Sequence, residues 1–358
     1  MKVAVGAIVG TTGGPATYAI ELVRALTAAF PDDEWTVLTD RPPAFADFAD
    51  TVHVPLASTW GQPLWDHVRV RRALGVGRFD VYHGTKGVLP RLSRTAAVVT
   101  IHDLAVNVMP ETFSRAQRLH LGAETPATVR SARAIITDSR SSAADLQRFY
   151  PASAGKIDVV PLAAPRSMRP AEADAVERWR DEHDIAVPAV GYLGTLQPRK
   201  NIDLLAEAFR RAAGARAWKL LIAGRMRPGY RPACLDWGDR RIVHLGEIED
   251  AEVPAFLGAL SCMASPSSYE GFGLSLLEAM AAGCPVVGVA NSSVPEVVAD
   301  AGVLVERPDA DLLAEAIETV VTDVGLAADL SRRGVERGAL FSWAETARLT
   351  RAVYERAA

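Results

Sequence analysis

Short apolar runs alternate along this chain with segments whose apolar side chains recur at helical spacing. Residues 3–9 form a run of strand length, and residues 16–30 then repeat Tyr18, Leu22 and Leu26 on one helical face. This alternation continues to the end of the chain and predicts an α/β fold in which helices cover parallel sheets. The other predicted strands are residues 35–38, 81–83, 97–102, 134–137, 190–193, 219–223, 242–245, 261–264 and 285–289.

The alternation is interrupted between about residues 161 and 188, where four prolines flank a charged helix at residues 171–183. Proline favours loops and turns, so this interruption predicts a hinge between two domains. The length of 358 residues also suits two domains of ~150–200 residues each. We therefore predict Rossmann-like domains over residues 1–165 and 166–340, and a final helix over 341–358 that returns to the first domain or packs on the second.

Composition narrows the class of protein. Apolar residues make up 49% and charged residues 23%, as in globular proteins, and a net charge of -4 argues against a nucleic-acid partner. The three cysteines fit neither a disulfide framework nor a zinc motif. The N-terminal apolar run lacks a cleavage pattern, and no apolar stretch approaches the ~20 residues of a membrane span. A cytoplasmic location is expected, with peripheral contact at the inner membrane face left open.

A glycine-rich turn before a helix is the most informative segment. The helix is predicted to begin near Leu274, and Gly271 and Gly273 leave backbone N–H groups uncovered at its N-terminus, which suits an anion such as phosphate. Glu278 is the only charge on this apolar helix. A buried carboxylate without partners is costly, so Glu278 is expected to accept hydrogen bonds. Hydroxyl groups of a ligand or a structural arginine are the two alternatives.

Glu270 opens the same turn. An acidic residue near a helix N-terminus can simply complement the helix dipole, which is the structural alternative to a role in a site. The spacing of Glu270 and Glu278 is Glu-x7-Glu within the segment EGFGLSLLEAMAAGCPVV.

This segment resembles the family 4 retaining glycosyltransferases, which have the GT-B fold. Other stretches resemble the family in the same order, so the resemblance covers nearly the whole chain; it is similar to the branch that includes many bacterial mannosyltransferases. These stretches are GGPATYAIELVRAL near the start, IHDL at 101–104, AIITDSRSSAADL at 134–146, IDVVPLA at 157–163, GYLGTLQPRKN at 191–201 and SSVPEVVADAGVLV at 292–305.

The resemblance implies two Rossmann-like domains whose parallel sheets face each other across a cleft, the first on the acceptor side and the second binding the donor. It implies a retaining enzyme that moves a hexose from a GDP- or UDP-linked sugar to a hydroxyl of a carbohydrate, lipid-linked or small-molecule acceptor. The nucleotide-sugar is then a substrate, and no metal cofactor is expected. Asp309 and Asp311 match the metal motif of another glycosyltransferase fold, but they precede a predicted helix, whose start Asp311 is expected to favour.

Donor-side roles follow by position. Glu270 would contact the transferred sugar, and Glu278 would accept hydrogen bonds from the ribose hydroxyls. Ile248 lies in a loop similar to the one whose backbone contacts the base. Backbone N–H groups would hold the sugar or diphosphate at Gly271, Phe272, Gly273 and Leu274.

Two cations follow the strand that ends near Gly194. Arg199 and Lys200 can stabilise a departing diphosphate, unless they are merely solvated. Many family members carry an arginine at the position of Thr195, so one phosphate contact is missing here or is replaced by Arg199 or Arg225. Arg199 is favoured.

The first domain supplies further candidates. Gly13 and Gly14 follow the first strand and would face the donor diphosphate, or they form only a tight turn. In the family, a histidine at the position of His102 reaches the transferred sugar and would be catalytic. His83 and Lys86 are placed on the acceptor side.

Two tryptophans have alternative interpretations. Trp60 is placed on the acceptor side, where it or Trp65 can stack on a sugar or lipid, although core packing is common for tryptophan. Nearby arginines make either a membrane-contacting surface or a solvated helix face; these are Arg69, Arg71, Arg72 and Arg78. A sugar-nucleotide epimerase and a two-lobed sugar-binding protein without catalysis are the alternative functions.

Overall fold

A computed structural model describes residues 1–8, 13–55, 65–91 and 95–358 of the chain. These residues form two compact units. The first unit comprises Met1–Leu162 together with Ser342–Ala358, and the second comprises Ala163–Phe341. The C-terminal helix thus belongs to the first unit.

The first unit contains a seven-stranded sheet in the order β3-β2-β1-β4-β5-β6-β7, and every strand pair in it is parallel. The sequence order reverses between β1 and β4, as in doubly wound folds. The strands are β1 Lys2–Ala7, β2 Glu34–Thr39, β3 Asp50–His53, β4 Val81–Gly84, β5 Ala96–Thr100, β6 Ala134–Thr137 and β7 Ile157–Val159.

The second unit contains a six-stranded parallel sheet in the order β10-β9-β8-β11-β12-β13. Relative to its own first strand, this is the Rossmann order, and it reverses between β8 and β11. The strands are β8 Ala189–Leu193, β9 Lys219–Ala223, β10 Ile242–Gly246, β11 Cys262–Ser265, β12 Val286–Val289 and β13 Val303–Val305.

Helices connect successive strands and bury their apolar faces on the sheets, as the alternating pattern predicts. The α-helices of the described residues are α1 Gly14–Ala29, α2 Arg71–Gly77, α3 Ala105–Val108, α4 Arg115–Ser131, α5 Arg140–Phe149, α6 Ala173–Glu182, α7 Ile202–Ala213, α8 Val253–Gly258, α9 Leu274–Ala281, α10 Val294–Val298, α11 Ala310–Thr322, α12 Val324–Gly338 and α13 Trp343–Ala357. Across the ranges that the structure describes, no helix combines the length and the apolar character needed to cross a bilayer.

A buried polar chain ties α13 to the first sheet. The Tyr354 hydroxyl lies 2.7 Å from His83 Nδ1, and His83 Nε2 lies 2.8 Å from Thr100 Oγ1. Thr100 Oγ1 also lies 2.8 Å from the Tyr18 hydroxyl on α1. Buried polar networks whose hydrogen bonds are all made fix the packing of a core, so the last helix has a defined position in the first unit.

The predicted α/β class and the two Rossmann-like sheets are confirmed. The short strands β3, β7 and β13 and the helices α3, α4, α5 and α12 were not predicted from the sequence, whereas α2 agrees with the helix face proposed for the arginines near residue 71. Near residue 310 it expected Asp311 to help begin α11, whereas Asp309 is the N-cap and accepts hydrogen bonds from the N–H groups of Asp311 and Leu312.

Candidate functional site

The strand order of the second unit reverses between β8 and β11, and loops meet at the carboxyl ends of these two strands. Ligands of open α/β sheets bind at such a reversal. The loop after β8 runs from Gly194 to Asn201, and the loop after β11 runs from Pro266 to Gly273. The candidate site is built from these two loops and the helix α9 that follows.

Close packing of two glycines fixes the start of the first loop. Gly194 has φ 139° and Gly224, after β9, has φ 135°, both in the region that disfavours side chains. A Cβ added at Gly224 would lie 2.0 Å from the Gly194 carbonyl oxygen. The backbone at Gly224 therefore approaches Gly194 more closely than any side chain would allow.

Gly224→Ala is expected to destabilise the protein by about 3 kcal/mol or more, because it adds a backbone clash to an unfavourable φ. Gly229→Ala is the matched control, since Gly229 has φ 79° but no atom within 4 Å of an added Cβ. Its cost is expected to be only about 1–2 kcal/mol. Urea unfolding measures both. Equal costs in the two variants would contradict the role given to the contact.

Asn201 joins the loops after β8 and β11. Its Nδ2 donates to the Pro266 carbonyl at 3.0 Å and contacts Ser268 Oγ at 2.6 Å. The backbone N–H of Ser268 in turn donates to the Arg199 carbonyl at 2.9 Å. Asn201 has φ 50°, a conformation that asparagine tolerates better than most residues. The two loops thus hold each other in place.

A third loop, after β12, holds the backbone of Glu270. The Glu270 N–H donates to Ser292 Oγ at 2.8 Å, and Ser293 Oγ donates to the Glu270 carbonyl at 2.9 Å. Asn291 Nδ2 donates to the Ser267 carbonyl at 2.9 Å. The position of Glu270 is therefore set by hydrogen bonds to both its backbone N–H and its backbone carbonyl.

Glu270 forms a buried charge cluster with Arg199 and Lys200. One carboxylate oxygen accepts from Arg199 Nη1 at 3.1 Å and the other from Lys200 Nζ; Arg199 Nη1 also donates to the Tyr269 carbonyl at 2.6 Å. Burial opposes ionisation of Glu270, yet the charges of Lys200 and Arg199, with hydrogen bonds from Lys200 and Ser267, lower its pKa to about 2. With one anion and two cations, the cluster keeps a positive charge.

The helix α9 begins beside this cluster without a side-chain cap. Gly273 occupies the N-cap position with φ 94°, and no acidic residue lies in the first turn. Gly271, Phe272 and Gly273 are buried, and the Phe272 ring packs edge-on against Phe341 at 5.8 Å. An uncapped helix N-terminus next to net positive charge is suited to an anion.

Glu278 lies one turn further along α9 and is half-buried. Within the described part of the chain, its carboxylate has no hydrogen bond and no ion pair, so the alternative of a structural arginine is wrong for this structure. Burial and the like charge of Asp250 raise its pKa to about 8. The ionised form of Glu278 is an acceptor that lacks donors, and ligand hydroxyl groups would supply them and favour that form.

The raised pKa of Glu278 predicts how stability depends on pH. Its pKa is about 8 in the fold and near 4.5 ordinarily, so the folded state binds the extra proton between these values. The contribution of Glu278 to stability is fullest below pH 4.5 and is lost as the pH rises to about 8. Glu278→Gln removes this decline. In thermal unfolding without ligand, its Tm is therefore expected to exceed the wild-type value by about 2–4 °C at pH 8 and to match it near pH 5.

A second variant checks that expectation. Asp250→Asn removes the like charge that helps to raise the pKa of Glu278, so the decline is expected to end at a lower pH. A Tm difference between Glu278→Gln and wild type that stays constant from pH 5 to 8 would contradict the ligand-free state described for Glu278.

His102 follows β5 in the first unit. Its Nδ1 lies 2.6 Å from Asp138 Oδ2, and its Nε2 lies 3.1 Å from the Thr85 carbonyl oxygen. The side chain of His102 is 20% exposed and that of Asp138 only 3%. His102 is therefore held on two sides and remains partly accessible.

Comparison with known proteins identifies the family to which this architecture belongs. Residues 12–165 match the family model described as Glycosyltransferase Family 4, and residues 187–353 match the model described as Glycosyl transferases group 1. The O-antigen chain mannosyltransferase B of Escherichia coli is 32% identical over 284 residues, which are 74% of this chain and 71% of that protein. The chain belongs to the family 4 glycosyltransferases.

Another relative is the D-inositol 3-phosphate glycosyltransferase of Stackebrandtia nassauensis, which is 30% identical to this glycosyltransferase over 78% of this chain and 69% of that protein. Among solved structures, Anabaena HepE, in complex with UDP-glucose, superposes with a TM-score of 0.79 at 17% identity. The match covers 99% of this chain and 100% of HepE. The fold is thus GT-B, and the chain is an enzyme.

The structure brings together most donor-side residues predicted for this glycosyltransferase. Glu270, Arg199 and Lys200 contact one another at the start of α9. Ile248 is half-buried in the loop after β10, and Arg225 is half-buried in the loop after β9.

His83 differs from expectation because it is buried, whereas the buried Trp65 agrees with the alternative of core packing. His83 is 0% exposed, and its two ring nitrogens are engaged with Tyr354 and Thr100, so it lies inside the unit rather than where an acceptor could touch it. Trp65 is core, and its Nε1 donates to the Val54 carbonyl at 2.7 Å.

The other residues predicted for the acceptor side and for the loop after β1 lie in different surroundings. Lys86 is half-buried in the turn after β4. Gly13, with φ 124°, and Gly14 begin α1, which has no side-chain cap, like α9. Trp60 lies outside the described residues.

The residues that fix the loops of the site by hydrogen bonds were not predicted from the sequence. Asn201, Asn291, Ser292 and Ser293 fix the loops of the donor side, and Asp138 holds His102. Asn201 and Ser292 to Ser293 fall within the stretches GYLGTLQPRKN and SSVPEVVADAGVLV. These residues therefore lie in stretches that resemble the family. Their spacing along the chain, however, does not indicate which groups they contact.

Proposed function

We propose that this glycosyltransferase moves a hexose from a nucleoside-diphosphate sugar to a hydroxyl acceptor with retention of configuration. The observation that carries the proposal is Glu278, a half-buried carboxylate without a described partner, on the helix whose uncapped start adjoins the cluster of Arg199, Lys200 and Glu270. Hydroxyl groups and a diphosphate, separated by a short distance, are what a nucleotide-sugar offers to such a surface.

The donor would be held by separate parts of this surface. The ribose hydroxyls donate to Glu278, and the diphosphate lies on the start of α9 and receives charge from Lys200 and Arg199. Ile248, in the loop after β10, contacts the base. Glu270 faces the transferred hexose and keeps the two cations in position.

Arg199 takes the role of the arginine that many family members carry at the position of Thr195. Its Nη1 is anchored on Glu270 and on the Tyr269 carbonyl, which fixes the guanidinium at the charge cluster. Arg225 lies on the neighbouring loop after β9. The anchoring of Arg199 at the charge cluster supports it for this role.

Retention follows a front-face route. The bond between the anomeric carbon and the diphosphate oxygen breaks, and the acceptor oxygen bonds to the same face of that carbon. The departing phosphate oxygen takes the acceptor proton, so no pair of carboxylates need flank the bond, in contrast to retaining glycosidases. Lys200, Arg199 and the α9 N–H groups stabilise the charge on the leaving group, and no metal is required.

The acceptor is a hydroxyl of a carbohydrate, a lipid-linked sugar or a small polyol. The two curated relatives are named for an O-antigen chain and for D-inositol 3-phosphate, and both names describe hydroxyl-rich molecules. The mannosyltransferase name supports a GDP- or UDP-linked hexose as donor. Peripheral membrane contact would bring a lipid-linked acceptor to the enzyme; vesicle co-sedimentation at low and high salt tests it.

A ligand screen followed by product analysis tests the function. Thermal shifts are measured with UDP, GDP, ADP and TDP and with their hexose conjugates, in EDTA and in Mg²⁺, since a ligand that binds only the folded state raises Tm. The conjugate with the largest shift is then incubated with and without acceptors. Transfer with an α- or β-linkage matching the donor supports the proposal. Donor epimerisation without acceptor, or no shift with any nucleotide, overturns it.

A further inference from the structure

Both ring nitrogens of His102 are occupied inside the first unit. A backbone carbonyl only accepts hydrogen bonds, so Nε2 carries a proton toward Thr85 O at 3.1 Å. Burial raises the pKa of Asp138, while the charge and hydrogen bond of His102 lower it and Asp103 raises it. The ionised carboxylate accepts, so Nδ1 then carries a proton toward Asp138 Oδ2 at 2.6 Å. An imidazole that donates from both nitrogens is an imidazolium, with a charge of +1.

The carboxylate of Asp138 depends on this one partner. Its side chain is 3% exposed, and among the described residues its other oxygen, Oδ1, is buried without a hydrogen bond. A buried carboxylate with a single charged partner loses much of its stabilisation when that partner is neutral. The arrangement therefore favours the charged form of His102 on geometric grounds alone.

The other groups that face His102 agree with a charged ring. Asp103, the next residue, adds a second negative charge, while the Tyr18 ring packs edge-on at 4.8 Å. Burial opposes the charge, but the charge and hydrogen bond of Asp138 raise the pKa of His102. Burial and the charge of His102 lower the pKa of His83 to about 3, so the second histidine stays neutral.

We propose that Asp138 is a positioning residue that keeps His102 as a fixed imidazolium, so that His102 presents positive charge to a phosphate group and does not act as a base. Neither ring nitrogen has a lone pair left to take a proton from an acceptor. The 20% of the side chain that is exposed still lets the charge act on a bound anion. This role rests on the proposed transfer from a nucleoside diphosphate.

The test compares pH profiles of kcat/KM for the donor in full-length wild type and in Asp138→Asn, between pH 6 and 9.5. Wild-type kcat/KM is expected to rise from pH 6 to 8 as Glu278 ionises and then to fall on the alkaline side, where His102 loses its proton. In Asp138→Asn that fall is expected to shift to lower pH by at least about one unit, with a loss on the order of tenfold at pH 8 and a smaller loss at pH 6. Superimposable profiles overturn the proposal.

Ser142→Ala is the matched control. Ser142 Oγ donates to the His102 carbonyl at 3.0 Å, so its removal loosens the same loop without changing any charge. Its pH profile is expected to keep the wild-type shape even if the rate falls. A shift as large as that of Asp138→Asn would assign the effect to loop structure and overturn the proposal.

NMR of the wild-type imidazole carbons and nitrogens reads the charge of His102 without any substitution. The proposal requires an imidazolium with both nitrogens protonated at pH 7.5, and a neutral tautomer there overturns it even if Asp138→Asn fails to fold. This measurement needs no donor, so it tests the charge of His102 separately from the proposed function. Absence of transfer with every donor overturns the proposed function. A neutral His102 overturns only the proposal of a fixed imidazolium.

Discussion

Glu270→Gln is expected to lower kcat on the order of 100-fold while changing the donor Kd by less than about tenfold. Glutamine keeps the shape of the side chain but loses the charge that holds Arg199 Nη1 at 3.1 Å and contacts Lys200 Nζ. The two cations then lose their common anchor at the point where the leaving group's charge develops. Their total charge still attracts the diphosphate, so binding suffers less than turnover.

Steady-state kinetics at saturating donor and calorimetric titration of the nucleoside diphosphate separate these two quantities. Glu207→Gln is the matched control, because Glu207 also pairs with an arginine, Arg211, but on an exposed helix surface. Its kcat is expected to stay within twofold of wild type, since surface ion pairs contribute little. An unchanged kcat in Glu270→Gln, or a loss confined to Kd, would remove Glu270 from the chemistry.

The same substitution is expected to lower stability in the absence of donor. Removing one partner from a buried ion pair costs about 3–5 kcal/mol. Arg199 and Lys200, with side chains 14% and 12% exposed, would both lose the carboxylate that they share. A bound diphosphate supplies negative charge again, so kcat must be measured at donor concentrations that keep the variant folded.

The sequence predicted the sheets well because buried parallel strands are continuous apolar runs. The strands Ala134–Thr137 and Lys219–Ala223 have the predicted bounds. The missed strands β7 and β13 have only three residues each and are half-buried over most of their length. The missed helix α4 buries few side chains and exposes Leu119, so its sequence has no clear apolar face.

The candidate site was predicted in parts rather than as a whole. The apolar surroundings of Glu278 indicated that its carboxylate would need donors, because a single charge on an apolar helix is a local pattern. The contact of Glu270 with Arg199 and Lys200 joins residues 71 and 70 positions apart. Only the adjacency of β8 and β11 brings them together, and spacing along the chain carries no information about that adjacency.

His83 was wrongly placed for the same physical reason. A polar residue at a strand end is normally a candidate for a site, since loops at that edge bind ligands. Its hydrogen-bond partner Tyr354 lies 271 residues later, on a helix that closes over the sheet. Burial by a distant element turns a plausible site residue into part of the core.

Glu278→Ala is expected to weaken donor binding by roughly 10- to 100-fold and to leave kcat at saturating donor nearly unchanged. A hydrogen bond to a charged group contributes about 1.5–3 kcal/mol, which corresponds to this range. The loss should depend on the ribose. Wild type is expected to bind the 2′,3′-dideoxy nucleoside diphosphate as weakly as the variant does, and the variant should not distinguish the two nucleotides.

That comparison forms a thermodynamic cycle, and the expected coupling between Glu278 and the ribose hydroxyls is most of the loss seen in either single change. If the losses of affinity from the two changes are additive, the Glu278 carboxylate does not contact the ribose hydroxyls. The pH supplies an independent check: because the pKa of Glu278 is about 8 without ligand and its ionised form is the better acceptor, wild-type affinity is expected to increase from pH 6 to 8, with proton release on binding. Glu278→Gln should bind with the same affinity across this range, since it has no proton to release.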